Sequence, residues 1–355
     1  MTSVLSFIFV LGVLVFIHEL GHFLVAKWVG VRVEKFSLGF PPNIVSRKMG
    51  DTTYCIGLIP LGGFVKMAGD NPTEDRPGAQ DEFLSKTVAQ RTAVIAAGPF
   101  MNYVLSIVIL IGIYMFSGTP LTDDNHIYVG DVSDDGPAMH AGLMVDDEII
   151  GIDGETVSNF DSLRVRINAR IVEPVAITWV HGSDTINREI TTMVTTVPNA
   201  QGGQDSLGII GFTQKIIGYE KMGVGEAIGT GFITAHVIVY ETLNFFRRFV
   251  TGQLSPRLIG GPLFIARQSG REAQKGAASL FFFMALLSVN LAVINVLPIP
   301  ILDGGHLVFL IIEKIKGKPV SVTTLARAQQ AGLLILLVTL VFVTYNDILR
   351  VFSGH

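Results

Sequence analysis

An almost uninterrupted apolar run from Val4 to Val29 carries His18, Glu19 and His22 in its second half. A bilayer is crossed by one helix of about 20 apolar residues, and this run is long enough. The segment is expected to be retained rather than cleaved as a signal peptide: it lacks a basic leader, and its ionisable residues stand where such a peptide is purely apolar. A charged side chain at membrane depth costs on the order of 3 kcal/mol even on the mildest scale, so this trio needs compensation. Its H-E-x-x-H spacing supplies one. At i and i+4, His18 and His22 leave the same face of a helix and can hold one zinc ion, with Glu19 beside them as general base. A proton relay in a transporter is the other use of such a group.

Composition agrees with a membrane environment. Of the 355 residues 49% are hydrophobic and 16% charged, and the mean hydropathy of +0.50 is too high for a soluble chain of this size. A formal net charge of −4, with no basic cluster among aromatics, excludes a nucleic-acid binder. The single Cys55 has no disulfide partner and no neighbour at metal-ligand spacing, and reads as a packing residue. Further runs of spanning length cover Ala93 to Phe116, Ala277 to Leu297 and Gly332 to about Leu349, the last containing Asn346 and Asp347. The expected fold class is a multi-pass α-helical membrane protein with about four transmembrane helices. Ala227 to Phe246 is also apolar, but it holds His236, Glu241 and Asn244 and ends in Arg247-Arg248, which fits an amphipathic helix on the membrane surface.

Lysine and arginine in the short loops set the orientation. Lys27, Arg32, Lys35, Arg47, Lys48, Lys66, Arg76, Lys86 and Arg91 lie between the first two spans, and Lys314, Lys316, Lys318 and Arg327 between the last two. Both loops are expected to be cytoplasmic, which leaves the long segment between spans two and three on the other side, the periplasm of a bacterium.

That segment, residues 118 to 276, has an ordinary soluble composition. Strands are expected over Ile127 to Val132, Val175 to Val180 and Ile186 to Val194, with a helix over Phe160 to Ala169. Through Pro137-Ala138-Met139-His140-Ala141-Gly142-Leu143, Asp147-Glu148-Ile149-Ile150 and Ile152-Asp153-Gly154 it resembles a bacterial PDZ domain, an α/β fold that binds an extended peptide by adding it to a sheet edge. The resemblance makes Leu207-Gly208-Ile209 the carboxylate-cradling loop. Asp146 departs from the pattern, in which a glycine usually occupies the turn. A spacer role without a ligand is the alternative, because a fold alone does not establish binding.

A third metal ligand is sought at the end of the third span, in Asn295-Val296-Leu297-Pro298-Ile299-Pro300-Ile301-Leu302-Asp303-Gly304-Gly305-His306. Two prolines end the regular helix and two glycines permit a tight turn, so Asp303 can point back toward the bundle. The first and third spans run in the same direction, which brings Asp303 to the depth of His18 and His22. His306 is the rival ligand, three residues on. Two histidines and a carboxylate with the fourth position left to water make a catalytic rather than a structural zinc site. Asn295 can orient substrate or stabilise an oxyanion, or simply bond another helix.

Taken together, H-E-L-G-H at 18 to 22, A-G-P-F-M-N at 97 to 102, I-P-L-G-G-F-V-K-M at 59 to 67, the PDZ segment and the 295 to 306 motif resemble the site-2 protease family of intramembrane zinc metalloproteases, of the bacterial regulator of sigma-E protease (RseP) type. The resemblance covers nearly the whole chain, with room for one PDZ domain only. It implies one zinc ion per chain held by His18, His22 and Asp303, Glu19 as catalytic base and Asn295 as a substrate-positioning residue. It also implies that residues 52 to 67 form a short, membrane-associated β-hairpin, a reentrant loop bordering the active site. Its open edge could pair with an extended substrate; an interfacial packing role is the alternative.

The organisation expected is a first half of a membrane protease core over 1–117, the PDZ domain over 118–214, an amphipathic linker over 215–276 and the second half of the core over 277–355. The activity implied is cleavage of transmembrane segments of single-pass proteins in a bacterial inner membrane after an upstream site-1 protease has acted, with anti-sigma factors and signal-peptide remnants as substrates. Two other classes share parts of the pattern. One is a catalytically silent receptor that captures transmembrane peptides; the other is a metal- or proton-coupled transporter, for which the paired broken-helix repeats are lacking.

Overall fold

The computed structural model describes residues 2–71, 78–133, 136–198, 204–253 and 260–352. Arg76 of the basic loop lies outside them. The helices are α1 (Thr2–Trp28), α2 (Val88–Phe116), α3 (Pro137–His140), α4 (Phe160–Asn168), α5 (Val224–Val250), α6 (Pro262–Lys275), α7 (Ala277–Val296), α8 (Asp303–Lys316) and α9 (Val322–Phe352). The strands are β1 (Val33–Met49), β2 (Thr52–Met67), β3 (Thr119–Thr122), β4 (Ile127–Val132), β5 (Glu148–Ile152), β6 (Glu155–Thr156), β7 (Pro174–His181), β8 (Asp184–Thr191), β9 (Met193–Pro198), β10 (Gln204–Ile209), β11 (Phe212–Gln214) and β12 (Ile216–Glu220). They form two units, one from the residues up to Phe116 together with Gly223–Phe352, the other from Ser117–Met222.

In the first unit α1, α2, α7 and Val322–Leu349 of α9 are, among the described residues, the helices long and apolar enough to cross a membrane. The chain is a membrane protein. The last of these helices starts ten residues before the apolar run at Gly332, because the Ser321 hydroxyl accepts the Thr324 N–H and caps it there. Small residues let α1 and α2 approach closely: a Cβ on Gly21 would overlap the Ala97 carbonyl. Toward the start of α1, Val10 and Leu14 are buried with Met284 of α7. Near its end, Ala26 packs with Val94 and Ile95 of α2 and Leu310 of α8.

Helix α5 buries Ala227, Gly231, Ala235, Ile238 and Thr242, a stripe of one helix face, against α2 and α7. Its Thr242 hydroxyl donates to Asn290 of α7 at 2.7 Å. Helix α6 packs on α1, where a Cβ on Gly270 would overlap Ser3. Its N-terminus is capped from another helix: Asp347 of α9, only 2% exposed, accepts the N–H groups of Gly261 and Phe264 at 3.1 and 3.0 Å. The polar residue that interrupts the fourth apolar run thus satisfies a helix end.

Strands β1 and β2 are more extensive than the short hairpin expected over 52 to 67. Each bends, so that residues 35–38 of β1 pair on one side with 63–66 and on the other with 53–56, while 43–49 pair with 52–57. Gly39 at φ +88 and Pro41-Pro42 provide the bend in β1. Phe36, Leu38 and Phe40, alternating with Ser37 and Gly39, carry the strand signal ahead of residue 52, and pairing of Val33 with Met67 extends the sheet back to Val33.

The second unit has a sheet in the order β11-β4-β5-β7-β8, with β6 on β5. Ile127, Val129, Ile149, Ile152, Ile177 and Trp179 face a core closed by Leu163 and Ile167 of α4. Asn159 caps α4, accepting the Ser162 N–H at 2.8 Å. Asp146 takes the left-handed conformation at φ +74 that its turn requires, one that aspartate tolerates better than most residues. Leu207-Gly208-Ile209 is not a loop: it lies in β10, paired antiparallel with β9, and Gly208 packs so tightly on the Arg170 and Ile167 carbonyls at the end of α4 that a side chain has no room. The unit also runs past residue 214, because β12 pairs with β3 and closes its two ends together.

Candidate metal centre

Helix α1 presents His18 and His22 one turn apart with Nε2 atoms 3.2 Å from each other and rings edge to face. Asp303 opens α8, and its Oδ2 lies 3.2 Å from Nε2 of His18 and 3.6 Å from Nε2 of His22. One ligand atom from each of the three falls within 4.8 Å of the others. The histidine side chains are 12% exposed and Asp303 19%. The other nitrogen of His22, Nδ1, lies 2.8 Å from the Val94 carbonyl of α2. Nδ1 of His18 lies 3.3 Å from the Asn102 amide on the same helix.

The backbone that delivers Asp303 is tightly constrained. After α7, Leu297 and Pro298 turn the chain, Ile301 adopts φ +89, and α8 begins at Asp303. Gly304 and Gly305 then lie against the carbonyls of Val296, Leu297 and Ile299, where any Cβ would overlap them. On the facing side a Cβ on Gly98 of α2 would overlap His22, so the α2 backbone itself forms a wall of the centre.

The donor set fits a zinc ion. Asp303 Oδ2 is buried with no hydrogen-bond partner and faces two imidazole nitrogens, and two nitrogens plus one carboxylate oxygen is the ligand chemistry of a catalytic zinc. The three ligands border a cavity of about 610 Å³ that Glu19 and His306 also line. His306 is thus beside the centre but outside the ligand cluster. Asn295, 8% exposed at the end of α7, is not among the residues lining the cavity. Gly63 of β2 abuts Glu19, since a Cβ there would come 3.0 Å from Glu19 Cγ. Across the cavity Arg91 of α2 and Glu313 of α8 form a two-pronged ion pair, with Nη1 3.1 Å from Oε2.

Sequence reasoning did not identify Gly98, Val94, Arg91 or Glu313. The A-G-P-F-M-N stretch was visible as a motif, but nothing in its spacing shows that its glycine and asparagine face the two histidines.

A three-donor cluster in a cavity among membrane-length helices, with a glutamate adjoining it, defines a metal-dependent hydrolase of the membrane. The model of peptidase family M50 matches residues 6–339, and the chain belongs to this family, the site-2 proteases. It is similar to a protein of Agrobacterium fabrum provisionally named a zinc metalloprotease, 32% identical over 97% of this chain and 95% of the relative. It is also similar to zinc metalloprotease RasP of Geobacillus kaustophilus, 31% identical over 99% of this chain and 98% of the relative. A solved PDZ domain of an SdrC-like protein from Listeria monocytogenes is 27% identical, covering 26% of this chain and 90% of that one, with a TM-score of 0.21. The protein is a metalloprotease.

Proposed function

We propose that this metalloprotease is an intramembrane zinc endopeptidase, holding one zinc ion per chain on His18, His22 and Asp303. The observation that carries the reading is the convergence of those three side chains within 4.8 Å, from two separate helices, beside Glu19. Zinc bound there would polarise a peptide carbonyl and make a water acidic near neutral pH. Glu19 is the general base: it adjoins His18 and faces the same cavity, where it takes the proton of the attacking water and passes it to the leaving amine. The substrate-positioning role that the family resemblance gives Asn295 would act from the end of α7, outside the cavity lining. The edge of β2 at Gly63 to Val65, paired with β1 on one side and next to Glu19, holds the scissile segment extended; a helical segment must unwind to expose its peptide bonds.

The substrates are transmembrane segments of single-pass proteins, such as an anti-sigma factor already trimmed by a site-1 protease, or signal-peptide remnants. The basic loops support an inner-membrane topology with the centre toward the cytoplasm and the unit Ser117–Met222, of PDZ type, in the periplasm as a binder of peptide ends. Helices α5 and α6 belong to the periplasmic surface of that inner membrane in this arrangement. The test is cleavage of a model transmembrane substrate by the purified full-length protein in detergent, with zinc quantified. Loss of cleavage in both Glu19→Gln and chelator-treated protein, with Glu19→Gln still holding zinc, supports the reading. A zinc-free, inert wild type favours the silent receptor instead.

A further inference from the structure

Asn102 is fully buried on α2, in the A-G-P-F-M-N stretch to which the proposed function gives no role. Its backbone carbonyl accepts a 2.7 Å hydrogen bond from the equally buried Ser288 hydroxyl of α7, which fixes the main chain at this point. Its side chain faces the metal centre. Nδ2 lies 3.3 Å from Nδ1 of His18, and Oδ1 is buried with no hydrogen-bond partner.

An imidazole that offers Nε2 to a metal carries its proton on Nδ1, and a neighbouring acceptor for that proton sets the tautomer and the ring plane. His22 has one in the Val94 carbonyl, 2.8 Å from Nδ1. Val94 and Asn102 both lie on α2, antiparallel to α1, so the crossing offers one α2 group to each ring. With the amide nitrogen facing Nδ1, the proton of a metal-ready His18 has no acceptor and Oδ1 stays orphaned. A half-turn about the last side-chain torsion places Oδ1 against Nδ1 in nearly the same volume, pairing the imidazole proton with Oδ1 and turning the amide N–H2 to the side Oδ1 occupied.

We infer that Asn102 is the positioning residue of His18: its Oδ1 accepts the Nδ1–H hydrogen bond and holds Nε2 toward Asp303. This rests on the zinc site proposed above and adds the partner of its first ligand.

The test is zinc affinity of the full-length protein in detergent, by competition with a chromophoric chelator, for wild type, Asn102→Leu and Asn102→Asp. Leucine keeps the shape without an acceptor; aspartate keeps an acceptor without a donor. Asn102→Leu is expected to bind zinc roughly 10- to 100-fold more weakly, and Asn102→Asp to restore wild-type affinity. Unchanged affinity in Asn102→Leu overturns the inference, as does Asn102→Asp binding as weakly as Asn102→Leu. Where Asn102→Leu fails to fold, Asn102→Asp decides alone: wild-type affinity upholds the inference, and a loss of about tenfold or more overturns it. A wild type that takes up no zinc overturns the zinc site and this inference with it, whereas a zinc-binding wild type with an indifferent Asn102→Leu overturns this inference only.

Discussion

Gly98 of α2 is packed backbone against ring with His22 of α1: a Cβ at Gly98 would overlap Nε2 of His22 and lie 2.8 Å from Cε1 of His18. Gly98→Ala must therefore push α2 away or turn both imidazoles. Overpacking of this kind costs about 1–3 kcal/mol, which, borne by the metal-bound state, corresponds to a zinc affinity lower by about 5- to 150-fold. Gly112→Ala on the same helix is the control, since a Cβ there meets nothing within 4 Å; it should leave zinc affinity unchanged and stability equal or slightly higher. Chelator competition and thermal unfolding in detergent check both.

The Arg91–Glu313 pair ties α2, which carries the groups facing the histidines, to α8, which begins with Asp303. With side chains 9% and 15% exposed, the two charges depend on each other, and removing one strands the other. Glu313→Ala or Arg91→Ala should destabilise by about 3–5 kcal/mol, while a paired replacement by apolar residues of similar volume should recover most of it. Unfolding of the two single variants and the double variant in detergent checks this; additive losses would show that the pair contributes nothing jointly.

Ile301 holds φ +89, a region that β-branched residues avoid, two residues before Asp303. Strain of about 1–3 kcal/mol at this position is part of bringing the carboxylate to the histidines. Alanine and glycine both remove the side chain, but only glycine relieves the backbone. Ile301→Gly should thus be more stable than Ile301→Ala by about 1 kcal/mol, the reverse of the usual order. Equal or opposite stabilities in thermal melts would contradict the strain.

In the unit Ser117–Met222, the hydrogen bond from His126 to Glu148, 2.6 Å long, holds the imidazole above its ordinary value of 6.5. Because the folded value is raised, the stabilisation is fully present below about pH 6.5 and disappears as pH rises through the raised value. Wild type should exceed His126→Gln in unfolding temperature at acidic pH and match it at alkaline pH. A difference that grew with pH would contradict the assignment.

Much of the membrane unit was legible because lipid imposes a simple pattern: apolar runs mark α1, α2 and α7 closely, and H-E-x-x-H fixes two ring positions by helix geometry alone. Asp303 was legible because two prolines and two glycines announce a break that redirects a carboxylate. What escaped were relationships across helices. That Gly98 faces His22, or that Asp347 caps α6, depends on which helix faces pack together, and composition within one helix does not encode that. The sheet was read too short because the strand signal of Val33 to Phe40 is broken by Gly39 and Pro41-Pro42, residues that bend β1 rather than end it. Leu207-Gly208-Ile209 was a loop only by resemblance to PDZ domains, whereas the segment lies in β10 and Gly208 serves a close strand-to-helix contact.

The most direct test of the zinc centre is X-ray absorption at the zinc edge on the purified full-length protein, with metal content measured on the same sample for wild type and His22→Ala. Wild type is expected to hold one zinc per chain, coordinated by two imidazole nitrogens with oxygen completing the shell at about 2.0–2.2 Å, and His22→Ala to lose it. A wild type without zinc, a shell containing sulfur, or zinc retained undiminished in His22→Ala would contradict it.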